Sequence, residues 1–153
     1  MIKLIVVNQT ESEKKFPFKR EDIKRRCRQA LQVLSAQRVR QKERLESSKE
    51  LVLVFLDIKQ MKKINSKFRS KNKPTDVLSF SSHDPQSLGE LLFCLDVLKK
   101  QAKQQNHTLE AEFTYMFIHG VLHLLGYDHE FSKHEEKLMF SLQDKIFQRL
   151  NLK

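Results

Sequence analysis

Three histidines occur in one short segment of the sequence, HGVLHLLGYDH, at positions 119, 123 and 129. His119 and His123 are four residues apart, so on an α-helix they lie about 40° apart around the axis and about 6 Å apart along it. Their side chains therefore point the same way and could bind one metal ion. Gly126 can end the helix and turn the chain back, which would let His129 supply a third nitrogen.

This set of nitrogens predicts a catalytic zinc site. Three neutral imidazoles that leave one coordination position open are typical of catalytic zinc, whereas structural zinc sites use four protein ligands and favour cysteine. The two cysteines, Cys27 and Cys94, are far from the segment in sequence. We therefore predict one Zn²⁺ per chain, bound by His119, His123 and His129. Three imidazoles also accept nickel or copper, so the metal bound in the cell stays open.

The alternative is that these are ordinary surface or core histidines, as we expect of His83, His107 and His134. The grouping of three of the six histidines within eleven residues favours the metal site. A metalloprotease would carry Glu directly after the first histidine as its general base. Gly120 stands there instead, which makes a peptidase a poor interpretation. Gly120 also removes bulk beside the ligands, so we expect it to let a large substrate approach the ion.

Two helices are predicted around the histidine segment. The first begins after Thr108, a good N-cap, and runs to about Leu125 before it stops at Gly126. The second begins at Ser132, where Ser132 and Glu135 have the spacing of a capping box. Its predicted apolar stripe consists of Leu138, Leu142, Ile146 and Leu150.

The rest of the chain predicts strands that alternate with helices. Predicted strands are residues 2–8, a continuous apolar run at 51–56 and a hairpin formed by 77–80 and 90–94. Predicted helices are 19–38, a segment capped by Asp57, and 96–105. We predict an α+β fold, in which a small mixed β-sheet of about four strands packs with helices and carries a metal-bearing cleft. The length favours a single domain, residues 1–153.

The charge of the chain predicts a polyanionic partner. Lys and Arg number 29 against 19 Asp and Glu, which gives a formal net charge of +10, and such surfaces bind nucleic acid. From Lys59 to Lys73 there are seven basic residues and no acid, which indicates either a backbone-binding track or a solvated helix face. No segment has the ~20 apolar residues of a membrane span. Two unpaired cysteines and no signal peptide favour the cytoplasm, with no membrane partner.

The histidine segment resembles the YbeY family of bacterial ribosomal RNA maturation factors. Two further segments share the resemblance, FRSKNKPTDVLSF at residues 68–80 and LGE at residues 88–90. Three positions depart from the family pattern: Glu90 replaces an Asp, Ser81 follows Phe80 where Pro is common, and residues 38–49 are less recognisable. None of these departures touches the histidines.

The resemblance implies a zinc-dependent, single-strand-specific endoribonuclease. It implies a role in small-subunit (16S) rRNA 3′-end maturation and ribosome quality control, with ribosomal RNA and the ribosome or ribosomal proteins as partners. It also implies that His119, His123 and His129 are the metal ligands and that His119, His123 and Arg69 are catalytic. The alternative from another class is a non-catalytic ribosome-associated factor whose zinc is structural.

Arg69 is the residue that we expect to bind a phosphate of the substrate. Its guanidinium has the planar fork that matches phosphate oxygens in pairs, and the hypothesis is that it holds the scissile phosphate beside the metal. A solvated loop arginine is the alternative. Asp128 either orients a ligand imidazole or serves as a turn residue, Phe68 is either a stacking platform or core, and the general acid is not identified.

Overall fold

Four strands form one mixed sheet in the computed structural model, which describes residues 2–11 and 16–152. They are β1 (Lys3–Asn8), β2 (Glu50–Leu56), β3 (Val77–Ser81) and β4 (Ser87–Cys94). The order across the sheet is β1-β2-β4-β3. β1, β2 and β4 are parallel, and β3 pairs antiparallel with β4. The predicted α+β class, the mixed four-stranded sheet and the hairpin are confirmed.

Helices cover both faces of the sheet. They are α1 (Arg20–Ser35), α2 (Lys42–Ser47), α3 (Ile58–Arg69), α4 (Leu95–Gln104), α5 (Leu109–Leu124) and α6 (Lys133–Arg149). The larger core contains apolar residues of α1, α5 and α6, and the smaller core, on the opposite face, contains Met61 of α3. Within the described residues, no helix combines the length and apolarity needed to span a bilayer.

β2 lies between two parallel neighbours, which explains its continuous apolar run. Strands of this kind are buried on both faces and do not alternate with polar residues. Phe55 of β2 stacks on Phe93 of β4 with ring centroids 5.5 Å apart and also contacts Phe113 of α5 at 5.6 Å. The sheet is thereby fixed against α5, the helix that carries two of the three histidines.

Polar side chains begin three of the helices as the sequence predicts. Asp57 and Gln60 form a complete capping box at α3. Thr108 Oγ1 accepts a hydrogen bond from the backbone of Ala111 at α5. Ser132 Oγ accepts one from the backbone of Glu135 at α6. The Glu135 carboxylate binds Arg40 instead of completing the predicted capping box.

The buried face of α6 includes most of the predicted stripe. Ile146 is buried, and Leu142 and Leu150 are partly buried against the larger core, whereas Leu138 is 39% exposed. Met139 and Gln143, which were not predicted, complete the buried face. Gln143 is buried because its amide finds hydrogen-bond partners in α5, and a partnered amide costs little to bury.

Candidate metal centre and its cleft

The structure brings the three predicted histidines together. α5 places His119 and His123 one turn apart with ring centroids 4.8 Å apart, and the ring of His129 lies 5.0 Å from each of them. One nitrogen from each ring lies within 4.8 Å of the others. Among the described residues, this group could hold a metal ion.

The turn after α5 brings His129 back to the helix. Gly126 has φ = +94°, a backbone conformation that favours glycine. Its N–H donates to His123 O, and Tyr127 N–H donates to Leu122 O, both at 3.0 Å. These are the two bonds of a Schellman motif, which reverses the chain at a helix end. The reversal is what positions His129 beside the other two rings.

The charged segment around α2 holds this turn in place. Arg44 donates to the backbone oxygens of Leu124 at 2.6 Å and of Leu88 at 2.8 Å. Arg40 donates to Gly126 O at 3.3 Å, and its guanidinium lies 4.6 Å from the centroid of the Tyr127 ring. Cationic side chains at a helix C-terminus satisfy its free carbonyls. No pattern in the sequence indicated this positioning role.

Gln143 fixes the orientation of His119. It is 0% exposed, its Oε1 lies 2.9 Å from His119 Nδ1, and its Nε2 donates to the backbone oxygen of Tyr115 at 3.2 Å. Because Nε2 donates, Oε1 accepts, so His119 carries its proton on Nδ1. The lone pair of His119 Nε2 is then available to an ion. Sequence reasoning missed Gln143, although it lies at helical spacing from Met139 and Ile146.

Burial keeps two of the rings neutral. Desolvation lowers the pKa of His119, and the hydrogen bond with Gln143 partly opposes this shift. Desolvation lowers the pKa of His123 to about 4, with a further contribution from the charges of His119 and His129. Neutral imidazoles are the form that binds a metal, so at pH 7 these rings are ready to coordinate.

One pair of the three donor nitrogens has the spacing of two ligands on one zinc ion. His123 Nε2 and His129 Nδ1 lie 3.1 Å apart, and two nitrogens on one tetrahedral zinc are about 3.3 Å apart for bonds of about 2.0 Å. Cys27 and Cys94 are buried free thiols in the two cores. Within the described part of the chain, three residues make up this candidate site, so a four-coordinate ion would keep one position for a non-protein ligand.

Gly120 does not open space at the ion. A Cβ atom at this position would lie 2.8 Å from Leu91 Cδ2 on β4. The glycine therefore lets α5 approach the sheet closely, and the expectation that it admits substrate is wrong. Successive residues of a helix are rotated by about 100°, so the neighbour of a ligand faces another direction.

A cleft of about 1070 Å³ extends from the triad. It is lined by the three histidines and by Arg69, Lys71 and Lys73 at and after the end of α3. Arg69 Nη2 lies 3.1 Å from Glu130 Oε1, and the same oxygen lies 3.9 Å from His129 Nε2. The structure therefore places the predicted phosphate-binding arginine on the same cleft as the triad.

The basic track is exposed, as a binding surface requires. All seven basic residues between Lys59 and Lys73 are exposed to solvent. Phe68 is 59% exposed, with one edge against Phe80 at a centroid distance of 5.3 Å. Of the two roles left open for Phe68, exposure favours the stacking platform over a core position.

Asp128 acts as a turn residue. Its Oδ1 accepts a hydrogen bond from the backbone N–H of Glu130 at 2.9 Å, the local pattern for which aspartate is favoured in turns. His107, expected to be ordinary, also lies on the cleft, where its Nε2 is 2.6 Å from Glu112 Oε1. Burial raises the pKa of Glu112, and the contact with His107 opposes that shift.

The fold and the cleft define an α+β protein with a three-histidine candidate metal centre beside an exposed basic surface. Residues 7–151 match the family described as Endoribonuclease YbeY. The chain belongs to this family. It is therefore a nuclease, an enzyme of the hydrolase class. The resemblance inferred from the sequence is confirmed.

Individual relatives agree with the family. The chain is 56% identical over 105 residues to Endoribonuclease YbeY of Bdellovibrio bacteriovorus, covering 69% of this chain and 70% of that protein. It is 43% identical over 111 residues to the protein of that name from Acholeplasma laidlawii, covering 71% and 80%. A solution structure of a Thermotoga maritima protein superimposes with a TM-score of 0.58 at 27% identity, covering 95% of this chain and 87% of that one.

Proposed function

We propose that this chain is a zinc-dependent endoribonuclease that cleaves single-stranded RNA. The observation that carries the proposal is that the triad and Arg69 line the same cleft. The name of the relatives from Bdellovibrio bacteriovorus and Acholeplasma laidlawii supports RNA as the substrate. The net charge of +10 supports a polyanionic substrate.

Five residues that line the cleft have a stated role in this proposal. His119, His123 and His129 hold one zinc ion, and Gln143 keeps the His119 ring oriented toward it. When bound, zinc supplies a Lewis acid that lowers the pKa of water to about 7 and polarises phosphoryl oxygens. Arg69 binds the oxygens of the scissile phosphate and stabilises their negative charge. We assign catalytic roles to Arg69, His119 and His123.

The preference for single strands follows from the exposed surface beside Arg69. The Phe68 ring is exposed, and Lys67 Nζ lies 5.4 Å from its centroid. An aromatic ring of this kind stacks on an unpaired base, while the neighbouring lysines attract the backbone phosphates. A base within a duplex is already paired and stacked, so it would gain little from Phe68.

The cellular role is proposed from the resemblance of the histidine and arginine segments. We assign the chain to small-subunit (16S) rRNA 3′-end maturation and ribosome quality control in the cytoplasm, with the ribosome or ribosomal proteins as partners. We further propose that residues 1–153 act as one domain. The support is that one continuous sheet separates and contacts both cores.

The deciding experiment combines a metal assay with an RNA assay. Purified protein is incubated with single-stranded RNA with and without a chelator, and its metal content is measured. The His123→Ala variant is expected to lose both zinc and cleavage. His134→Ala is the matched control, because His134 is an exposed histidine outside the triad. RNA binding without cleavage by the zinc-loaded protein would instead support the non-catalytic ribosome-associated factor.

A further inference from the structure

Glu130 joins the two functional parts of the cleft. It directly follows His129, and its Oε1 lies 3.1 Å from Arg69 Nη2 and 3.9 Å from His129 Nε2. Arg69 and Glu130 are 61 positions apart in sequence. The contact therefore links the end of α3 to the turn that carries the third histidine.

The turn holds Glu130 in this position. Asp128 Oδ1 accepts the backbone N–H of Glu130 at 2.9 Å, and the backbone oxygen of Asp128 accepts that of Phe131 at 3.3 Å. The backbone is thus fixed by local hydrogen bonds, while the Glu130 side chain remains 56% exposed. A side chain with this exposure can leave Arg69 for solvent without disturbing the turn.

A carboxylate and a phosphate bind a guanidinium in the same way, through anionic oxygens that accept its N–H groups. Both present oxyanions to the same planar array of N–H donors. A phosphate that binds Arg69 beside the triad would meet the Glu130 carboxylate at close range, and two like charges at such a distance repel. Phosphate and carboxylate therefore compete for Arg69.

We propose that Glu130 is a built-in competitor of the substrate phosphate at Arg69, an inference that rests on the proposed role of Arg69. In the free protein the carboxylate binds Nη2 of the guanidinium, and a phosphate that takes this N–H donor beside the triad must displace it. Strands held only by the exposed lysines do not pay this penalty. Glu130 therefore lowers the affinity of the cleft for the phosphate at Arg69 specifically.

A double-mutant cycle on metal-free protein tests the competition without relying on cleavage. Binding of a fluorescent 2′-O-methyl single-stranded oligonucleotide is measured by anisotropy in the presence of a chelator. The proteins are the parent, Glu130→Gln, Arg69→Gln and the double variant. Glu136→Gln is the matched control, because it removes the same charge from an exposed position on α6.

The cycle has a defined expected result. Glu130→Gln should tighten binding about two- to fivefold, the range that an exposed ion pair of this kind allows. In the Arg69→Gln background the same substitution should tighten binding no more than Glu136→Gln does in the parent, because only the general effect of removing one negative charge remains. Glu136→Gln should tighten binding less than Glu130→Gln does.

Two results would overturn the inference alone. In the first, Glu130→Gln tightens binding equally with and without Arg69. The effect would then come from the loss of one negative charge and not from competition for Arg69. In the second, Arg69→Gln weakens binding but Glu130→Gln does not tighten it. If Arg69→Gln itself leaves binding unchanged, the phosphate role of Arg69 in the proposed function fails together with the inference.

Discussion

The two walls of the cleft are built on different physical principles. The triad wall, formed by α5, the turn at residues 125–132 and α6, is tied into the larger core, and His119 is only 7% exposed. The basic wall, formed by residues 67–73, is exposed to solvent and includes four Lys and Arg residues. Burial and hydrogen bonds orient the triad, whereas charge is the main contribution of the basic wall.

This difference should separate metal binding from RNA binding, the two functions that we propose for the cleft. Buried, hydrogen-bonded ligands are held by packing, so a metal site on the triad wall should respond to changes in orientation and protonation. Exposed cations act through a field that salt screens within about 10 Å at 0.1 M. Changes in ligand orientation or protonation should therefore weaken metal binding at the triad wall and leave RNA binding intact. Changes in salt or surface charge should weaken RNA binding at the basic wall and leave metal binding intact.

The largest expected effect comes from reversing one charge on the basic wall. Arg69→Glu should lower RNA cleavage by roughly a thousandfold, because it replaces the group proposed to stabilise the phosphate oxygens with a repelling one. Zinc content should stay at the parent level, since Arg69 lies outside the triad. Cleavage rates and metal analysis of the same preparation measure both quantities.

The matched control for Arg69 is Arg38→Glu, the same change at an exposed arginine that does not line the cleft. It should retain most of the cleavage activity. Full activity of Arg69→Glu would remove this residue from the mechanism, and loss of zinc in that variant would show that the two walls are not independent.

The next effect concerns the triad wall. Gln143→Leu should weaken zinc binding about ten- to a hundredfold, because the His119 ring loses the acceptor that fixes its orientation and proton. Gln143→Glu, which keeps an acceptor oxygen, should restore most of the affinity. Competition with a chromophoric chelator measures the dissociation constant of zinc directly.

Gln148→Leu serves as the control on the same helix, because Gln148 is exposed. It should leave zinc affinity unchanged. Parent-like zinc affinity in folded Gln143→Leu would contradict the positioning role. A urea melt of each metal-free variant separates loss of orientation from loss of the fold.

A pH effect should distinguish the buried rings from exposed histidines. The pKa of His123 is lowered to about 4 in the folded chain, below the value of about 6.5 expected when unfolded. The folded state therefore binds fewer protons, so the free energy of unfolding of metal-free protein is greatest above about pH 6.5 and falls toward pH 4. Urea melts across this range measure the decline.

The comparison for the pH effect is between two histidine variants. His123→Gln should reduce the decline without removing it, because the pKa of His119 is also lowered by burial, whereas His134→Gln should keep it. The raised pKa of Glu112 acts in the opposite direction, since its protonation favours the folded state as the pH falls. A decline of equal size in His123→Gln would assign the pH dependence to other groups.

The smallest effect is the salt dependence of RNA affinity. Log affinity should fall with log salt, and replacing Lys71 and Lys73 with Ala should reduce that slope by about 1.4, because each single-strand phosphate contact contributes about 0.7. Zinc affinity should be nearly independent of salt. Lys99→Ala with Lys100→Ala, at exposed positions on α4 that do not line the cleft, should leave the slope unchanged.

Local patterns predicted much of the fold. The β3–β4 hairpin and the starts of α3, α5 and α6 follow from turn residues, caps and periodicity within a few positions. α2 and the burial of Gln143 on α6 were not predicted, because both depend on contacts with distant residues. Arg44 reaches backbone oxygens of α5 and β4, and Gln143 is buried only because His119 and Tyr115 provide partners for its amide.

The sequence by itself determined the histidine spacing, the glycine that reverses the chain and the charge that attracts a polyanion. Each is a property of residues within one turn, or of composition, so no tertiary contact is needed to infer it. Tertiary structure alone decided that Gly120 faces Leu91, that Gln143 orients His119 and that Glu130 reaches Arg69. These facts depend on how helices and turns pack against partners that are distant in sequence, through close apolar packing at Gly120, a satisfied buried amide at Gln143 and an exposed ion pair at Glu130.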